Sequence, residues 1–249
     1  MGPVAAGTEF GGCLIEGLIG RGGMGVVYRA RQLELNRAVA IKLIAPERTG
    51  DAIARERFLR EARAAAAVEH PNVLPVYRAG IEDGHAYLVM RYVAGEDLRT
   101  LVRATGSLPV ERALDIVAAL GEALDAIHRA GFVHRDVKPA NVLIDRAGNV
   151  YLSDFGLAKH ALTTAGLTAG DHWVGTLDFA APEQIRGGTV DARADVYALG
   201  CVLHLMLTGA VPFERDSDEA KLWAHLSAKP PHVSALRPSQ EARCDPWNR

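Results

Sequence analysis

His134-Arg135-Asp136-Val137-Lys138-Pro139-Ala140-Asn141, followed thirteen residues beyond Asn141 by Asp154-Phe155-Gly156, is the stretch whose reading decides the fold. Asn141 and Asp154 supply two oxygen ligands for a hard cation, and Asp136 a carboxylate for a hydroxyl proton. Lys138 adds a compact cation. Taken singly, each residue has a plain reading: His134 as a core histidine, Asp154 as a turn residue, Asn141 as a cap. Their joint occurrence is what phosphoryl transfer needs, since catalysis there is mainly positioning and charge neutralisation.

Upstream lies Gly20-Arg21-Gly22-Gly23-Met24-Gly25-Val26-Val27. Glycines let the backbone approach phosphate oxygens closely and take up positive φ. In a dinucleotide-binding unit such a loop sits between a strand and a helix. Here Val26-Val27-Tyr28 continues as a strand, so the loop joins two strands and dinucleotide binding is disfavoured. Val39-Ala40-Ile41-Lys42 then places one lysine at the end of an apolar strand. A buried lysine is expensive unless paired. Glu61, between Phe58 and Ala62 on the apolar face of the following helix, is the expected partner, in preference to a surface pair with Arg57.

The period of the chain changes along its length. Strands are expected over 14–19, 26–28, 37–44, 73–77 and 85–93, with one helix inside 51–69. Beyond Val93-Ala94-Gly95 the chain turns helical: 109–129 stopped by Gly131, 195–207, and 217–228, with short strands at 142–144 and 150–152. Residues 155–181 keep no sustained period, which in a compact domain marks a functional segment. The reading is α+β: a small antiparallel β-rich lobe with one key helix over 1–93, then a larger α-helical lobe over 94–249.

Composition sets the outer limits. The 249 residues are 49% hydrophobic and 23% charged, with a net charge of −2. Disordered and collagen-like classes are excluded, and no bulk attraction to nucleic acid is expected. Cys13, Cys201 and Cys244 have neither disulfide nor zinc spacing, so a reducing, cytoplasmic setting is expected. Residues 1–6 lack a signal-peptide pattern. The nearly charge-free run 196–213 reads as a buried helix rather than a membrane span, since it holds His204, two glycines and Pro212 and has no basic flank. Lysine occurs only at Lys42, Lys138, Lys159, Lys221 and Lys229; the bias toward arginine reads as that of a GC-rich genome, and Lys42 and Lys138 are the positions where a point charge on a flexible stem is expected to be needed, Lys159 being read as a loop residue.

In these motifs, their order and their spacing, the chain resembles the eukaryotic-like (Hanks-type) protein kinases, most closely the bacterial serine/threonine kinases. The resemblance runs over 10–231. It implies a two-lobed kinase-like fold and an ATP- and Mg2+-dependent transfer (Mn2+ as substitute) to serine or threonine hydroxyls of protein substrates. Ile19, Gly20, Arg21, Gly22, Gly23, Met24, Gly25, Val27 and Ala40 would enclose ATP, with Met90 as gatekeeper and Arg91 and Val93 in the adenine-receiving segment. Lys42 would hold phosphates, braced by Glu61. Asp136 would take the hydroxyl proton beside Lys138, and Asn141 and Asp154 would hold magnesium. His134, Phe155, Gly156, Thr176, Glu183 and Asp195 would be structural. Arg135 implies activation by phosphorylation of Thr163, Thr164 or Thr168, with self-association for reaction in trans. Phe179 stands where tyrosine is common. The family pairs the Glu183 position with a later arginine, for which Arg249 is the candidate. The helix expected before it is short and polar, so the second lobe is expected to be shortened. A nucleotide-binding scaffold without transfer is the alternative reading.

Overall fold

The computed structural model describes residues 4–23, 25–45, 51–154 and 177–236. Met24, Phe155, Gly156, Lys159, Thr163, Thr164, Thr168, Thr176, Cys244 and Arg249 therefore lie outside the described residues.

The N-terminal part forms β1 (Glu9–Phe10), β2 (Cys13–Gly22), β3 (Gly25–Gln32), β4 (Arg37–Ile44), β5 (Val76–Glu82) and β6 (His85–Arg91). They make one antiparallel sheet in the order β1-β2-β3-β4-β6-β5. β4 lies between β3 and β6, and its run Val39 to Ile44 is buried on both faces. Successive side chains point to opposite faces of a strand. Val39, Ile41 and Leu43 join Ile15, Tyr28 and Tyr87 in one cluster, while Ala40 and Ile44 join Phe58, Ala62 and Met90 in another. Lys42 shares the second face, which turns it toward helix α1 (Ala52–Ala66) and the cleft. The Asp51 side chain caps that helix by accepting from Ala54 N at 2.7 Å.

The strand expected at 73–77 begins three residues later. Pro75 cannot donate to a ladder, and the residues before it pair elsewhere. Val73 bridges Leu152, Leu74 N donates to Leu152 O at 2.9 Å, and Asn72 Nδ2 donates to Val150 O at 2.9 Å. This segment fastens the sheet to the helical part.

The helical part contains β7 (Gly95–Asp97), α2 (Leu98–Thr105), α3 (Val110–Arg129), β8 (Val142–Asp145), β9 (Val150–Leu152), α4 (Pro182–Ile185), α5 (Ala192–Thr208), α6 (Asp218–Ser227) and α7 (Val233–Leu236). α3 buries Ala113, Ile116, Leu120, Ala123, Leu124 and Ile127, a helical stripe packed against Ala198, Val202 and Met206 of α5. α2 has no counterpart in the periodicity, because eight residues are too few to establish a pattern. Among the described residues no helix is long and apolar enough to cross a membrane. The apolar run read as a buried helix is α5, ended by Gly209 at φ 79°. An added Cβ at Gly209 would lie 2.2 Å from Gly106 O, so glycine lets the ends of α2 and α5 touch.

Candidate active site

The glycine segment is the β2–β3 hairpin, as its context requires, and β3 follows it with no helix. Gly25 is fixed by packing: its φ is 137°, and an added Cβ would sit 1.9 Å from Leu43 O. Gly20 and Gly22 are different, since an added Cβ there meets nothing within 4 Å. Nothing among the described residues requires those two glycines; a ligand that must approach the backbone would.

The segment 134–141 is held from below by α5. Asp195 is fully buried, and its Oδ2 accepts from His134 N at 2.8 Å and its Oδ1 from Arg135 N at 2.7 Å. His128 Nε2 on α3 lies 2.7 Å from Oδ2. This support lets Arg135 keep a φ of 64°, a region non-glycine residues rarely occupy. The His134 ring accepts from Asp136 N at Nδ1 (3.2 Å) and donates from Nε2 to Ser153 O (3.0 Å), which sets its tautomer. Burial holds its pKa below the ordinary histidine value, so the ring is neutral and structural at pH 7.

Asp136 is 5% exposed, with Lys138 Nζ 2.9 Å from its Oδ2. Asn141 Nδ2 donates to Asp136 O at 2.8 Å and to Asp136 Oδ2 at 3.1 Å. The backbone oxygen can only accept, so the amide orientation is fixed. Asn141 Oδ1 accepts no hydrogen bond among the described residues. Asn141 O in turn receives Ser153 N at 2.8 Å and Ser153 Oγ at 3.0 Å. That link ties the turn at Asn141 to β9 and so to Asp154, which stands at φ 64°.

The structure pairs Lys42 differently from the expectation. Its Nζ lies 2.8 Å from Asp154 Oδ1, and no ion pair joins it to Glu61 among the described residues. Glu61 is half-buried on α1. Burial pushes its carboxyl pKa up, and Arg57, Arg60 and Arg135 oppose that rise. Lys42, 6% exposed, has a carboxylate across the cleft instead of one on its own side. The preference follows from burial: one close anion satisfies the ammonium, and Asp154 is already fixed by the Ser153 bonds.

Lys42, Asp136, Lys138, Asn141 and Asp154 line one cleft of about 890 Å3, with Arg21, Gly22, Gly23, Gly25 and Val27 above them. Val27, Ala40, Val93 and Leu143 pack in the cluster that also holds Met90. Met90, 7% exposed, is packed inward rather than lining the cleft, and the Arg91 guanidinium lies 4.7 Å from the Tyr151 ring centroid. Ile19 is half exposed on β2. Glu183 opens α4, whose Gln184 Nε2 donates to Arg135 O at 3.0 Å. Leu143, Ser153, Gln184 and His128 do not stand out in the sequence. Leu143 follows the motif closely enough to be inferred from the β8 alternation; the other three act only across space.

No group of three or more His, Cys, Asp or Glu able to hold a metal occurs among the described residues. A magnesium ion arriving with a nucleotide takes one or two protein ligands and phosphate oxygens for the rest. The acceptor left on Asn141 and the carboxylate of Asp154 fit such an ion.

A β sheet and a helical part thus meet at a cleft lined with these groups. The chain belongs to the protein kinase family: residues 14–245 match the protein kinase domain. It is 43% identical over 234 residues to serine/threonine-protein kinase PknD of Mycobacterium tuberculosis, covering 94% of this chain and 35% of that protein. It is 44% identical over 232 residues to serine/threonine-protein kinase PknH of Mycobacterium bovis, covering 93% and 39%. The crystal structure of the Mycobacterium tuberculosis PknI kinase domain superposes with a TM-score of 0.75 at 33% identity, covering 95% of this chain and 86% of that one. The chain thus spans well under half the length of the curated relatives it matches. The kinase fold, bacterial relatives and use of ATP and magnesium by the family agree with the expectations from sequence.

Proposed function

We propose that the chain transfers the γ-phosphoryl group of ATP to serine or threonine hydroxyls of proteins. The carrying observation is the convergence of Asp136, Lys138, Asn141, Asp154 and Lys42 on one cleft below the glycine hairpin. The hydroxyl oxygen forms a bond to the γ-phosphorus while the bond from that phosphorus to the β,γ-bridging oxygen breaks. ADP leaves with that electron pair, and the hydroxyl proton passes to the Asp136 carboxylate. Lys138, beside Asp136, offsets charge on the transferring group, and Lys42 holds the remaining phosphates. Asn141 and Asp154 would hold the magnesium ion, which neutralises phosphate charge when bound. Residues 1–93 form the nucleotide lobe and 94–249 the catalytic lobe. Arg135 and the threonines at 163, 164 and 168 supply activation by autophosphorylation, with two copies meeting in trans.

The test is incubation with Mg-ATP, then with Mn-ATP, and mapping of phosphate by mass spectrometry beside Asp136→Asn and Lys42→Met. Label on Thr163, Thr164 or Thr168 in the parent alone supports the reading. Nucleotide binding by thermal shift with no label in the parent refutes transfer and leaves a nucleotide-binding scaffold.

A further inference from the structure

Arg135, at its positive φ, is held at both ends of its main chain. Asp195 Oδ1 accepts from Arg135 N, while the Arg135 carbonyl belongs to the next peptide unit, the one that also carries the Asp136 N–H. That second unit is fastened twice. Asp136 N donates to His134 Nδ1 at 3.2 Å, and Gln184 Nε2 donates to Arg135 O at 3.0 Å. His134 is a near neighbour in the chain. Gln184 is 49 residues away, in the single turn of α4, and ties this peptide to the segment 177–186.

Gln184 is itself fixed at its other end. Its Oε1 accepts from Ala181 N at 3.0 Å, so Nε2 faces Arg135 O, a carbonyl that can only accept. α4 packs against α5 and α6, with Ile185 buried and Gly188 N donating to Glu183 O at 2.9 Å. Gln184, Arg135, Asp136, Phe179 and Ala198 border a gap of about 10 Å3, at the lower limit for one water molecule. A side chain of the same length without a donor therefore leaves the carbonyl no room for a replacement.

We infer that Gln184 is a positioning residue for phosphoryl transfer: it sets the orientation of the peptide that carries Asp136, so the placement of the base depends on α4 being seated. The inference rests on the transfer reading and adds a residue to it. A peptide unit is planar and stiff, so turning the Arg135 carbonyl turns the Asp136 N–H and swings the Asp136 Cα with it. Capping of α4, the other role open to Gln184, needs only Oε1.

The experiment uses the full chain with Mg-ATP and a serine peptide, at pH 8 and at a temperature well below the Tm of every variant. Gln184→Glu keeps an oxygen for Ala181 N and loses the donor to Arg135 O. Gln184→Met, of similar length, loses both and adds no charge. Both variants should lower kcat by about tenfold, the size of one neutral hydrogen bond, with ATP KM unchanged. Parent kcat in Gln184→Glu shows that only the cap matters and overturns the inference. Parent kcat in Gln184→Met does the same, since it assigns any loss in the glutamate variant to its charge. A rise in ATP KM in place of the kcat loss also overturns it. A parent that transfers phosphate neither to the peptide nor to itself overturns the transfer reading, and the inference with it.

Discussion

Replacing Asp195 by alanine tests how the catalytic segment is held. The carboxylate is fully buried and accepts two backbone N–H groups, from His134 and Arg135, beside the His128 ring. Alanine leaves both donors without an acceptor in the interior. Each orphaned donor costs about 1–3 kcal/mol, so the loss is about 3–5 kcal/mol. For a chain of this size Tm changes by roughly 2–4 °C per kcal/mol, which places the drop at about 10 °C. Arg135 then loses the contact that keeps it at φ 64°, and Asp136 is the next residue. A displacement of about 1 Å at the base lowers kcat by about a hundredfold. ATP KM should hold, because the hairpin and Lys42 are untouched. The Asp195→Asn variant should fall between, since an amide offers one acceptor oxygen where the carboxylate offers two. Scanning calorimetry gives Tm, and steady-state phosphorylation gives kcat and ATP KM separately. A Tm within roughly 2 °C of the parent (about 1 kcal/mol or less) and an unchanged kcat for Asp195→Ala would falsify the account.

Three further outcomes follow from the same geometry. Gly20→Ala and Gly22→Ala should leave Tm unchanged while raising ATP KM, whereas Gly25→Ala should lower Tm, because only its Cβ collides with Leu43 O; the reverse pattern in a thermal melt would sink the assignment. Stability should fall as pH drops from 7 to about 5.5. Burial depresses the folded pKa values of His134 and His225, so below about 6.5 the unfolded chain takes up protons the folded one refuses. The stabilisation is present above that pH and lost beneath it, at about 1.4 kcal/mol per pH unit for a fully suppressed histidine; a Tm that is flat or rises over this acid range contradicts this. Glu61→Gln should leave Tm unchanged or higher, since its carboxyl bears a burial cost without Lys42 as partner, while Lys42→Met should lower Tm by leaving Asp154 alone. A large Tm loss for Glu61→Gln would show that the Lys42 pair forms in the resting protein.

Much of the site was legible because its chemistry is local in the chain. Asp136, Lys138 and Asn141 occupy one turn of sequence, and their hydrogen bonds run between residues two to five apart. The hairpin context of Gly20 to Gly25 was likewise readable, since a β-branched run follows directly. α2 was not, being too short for a period. Asp195 is marked as structural only through the family resemblance; its hydrogen bonds reach about sixty residues back, beyond any local pattern. The C-terminal arginine expected to meet Glu183 lies outside the described residues.

The sequence by itself determined the family, the lobe that carries each motif and which residue types meet a phosphate, because these follow from side-chain chemistry at fixed spacing. Tertiary structure alone decided which charge answers which. Lys42 has Glu61 on its own lobe and Asp154 on the other, and nothing in their spacing ranks them. The ranking comes from distance and burial: a Coulombic contact counts only within a few ångströms and out of water, and in this fold that place is held by Asp154, 2.8 Å away.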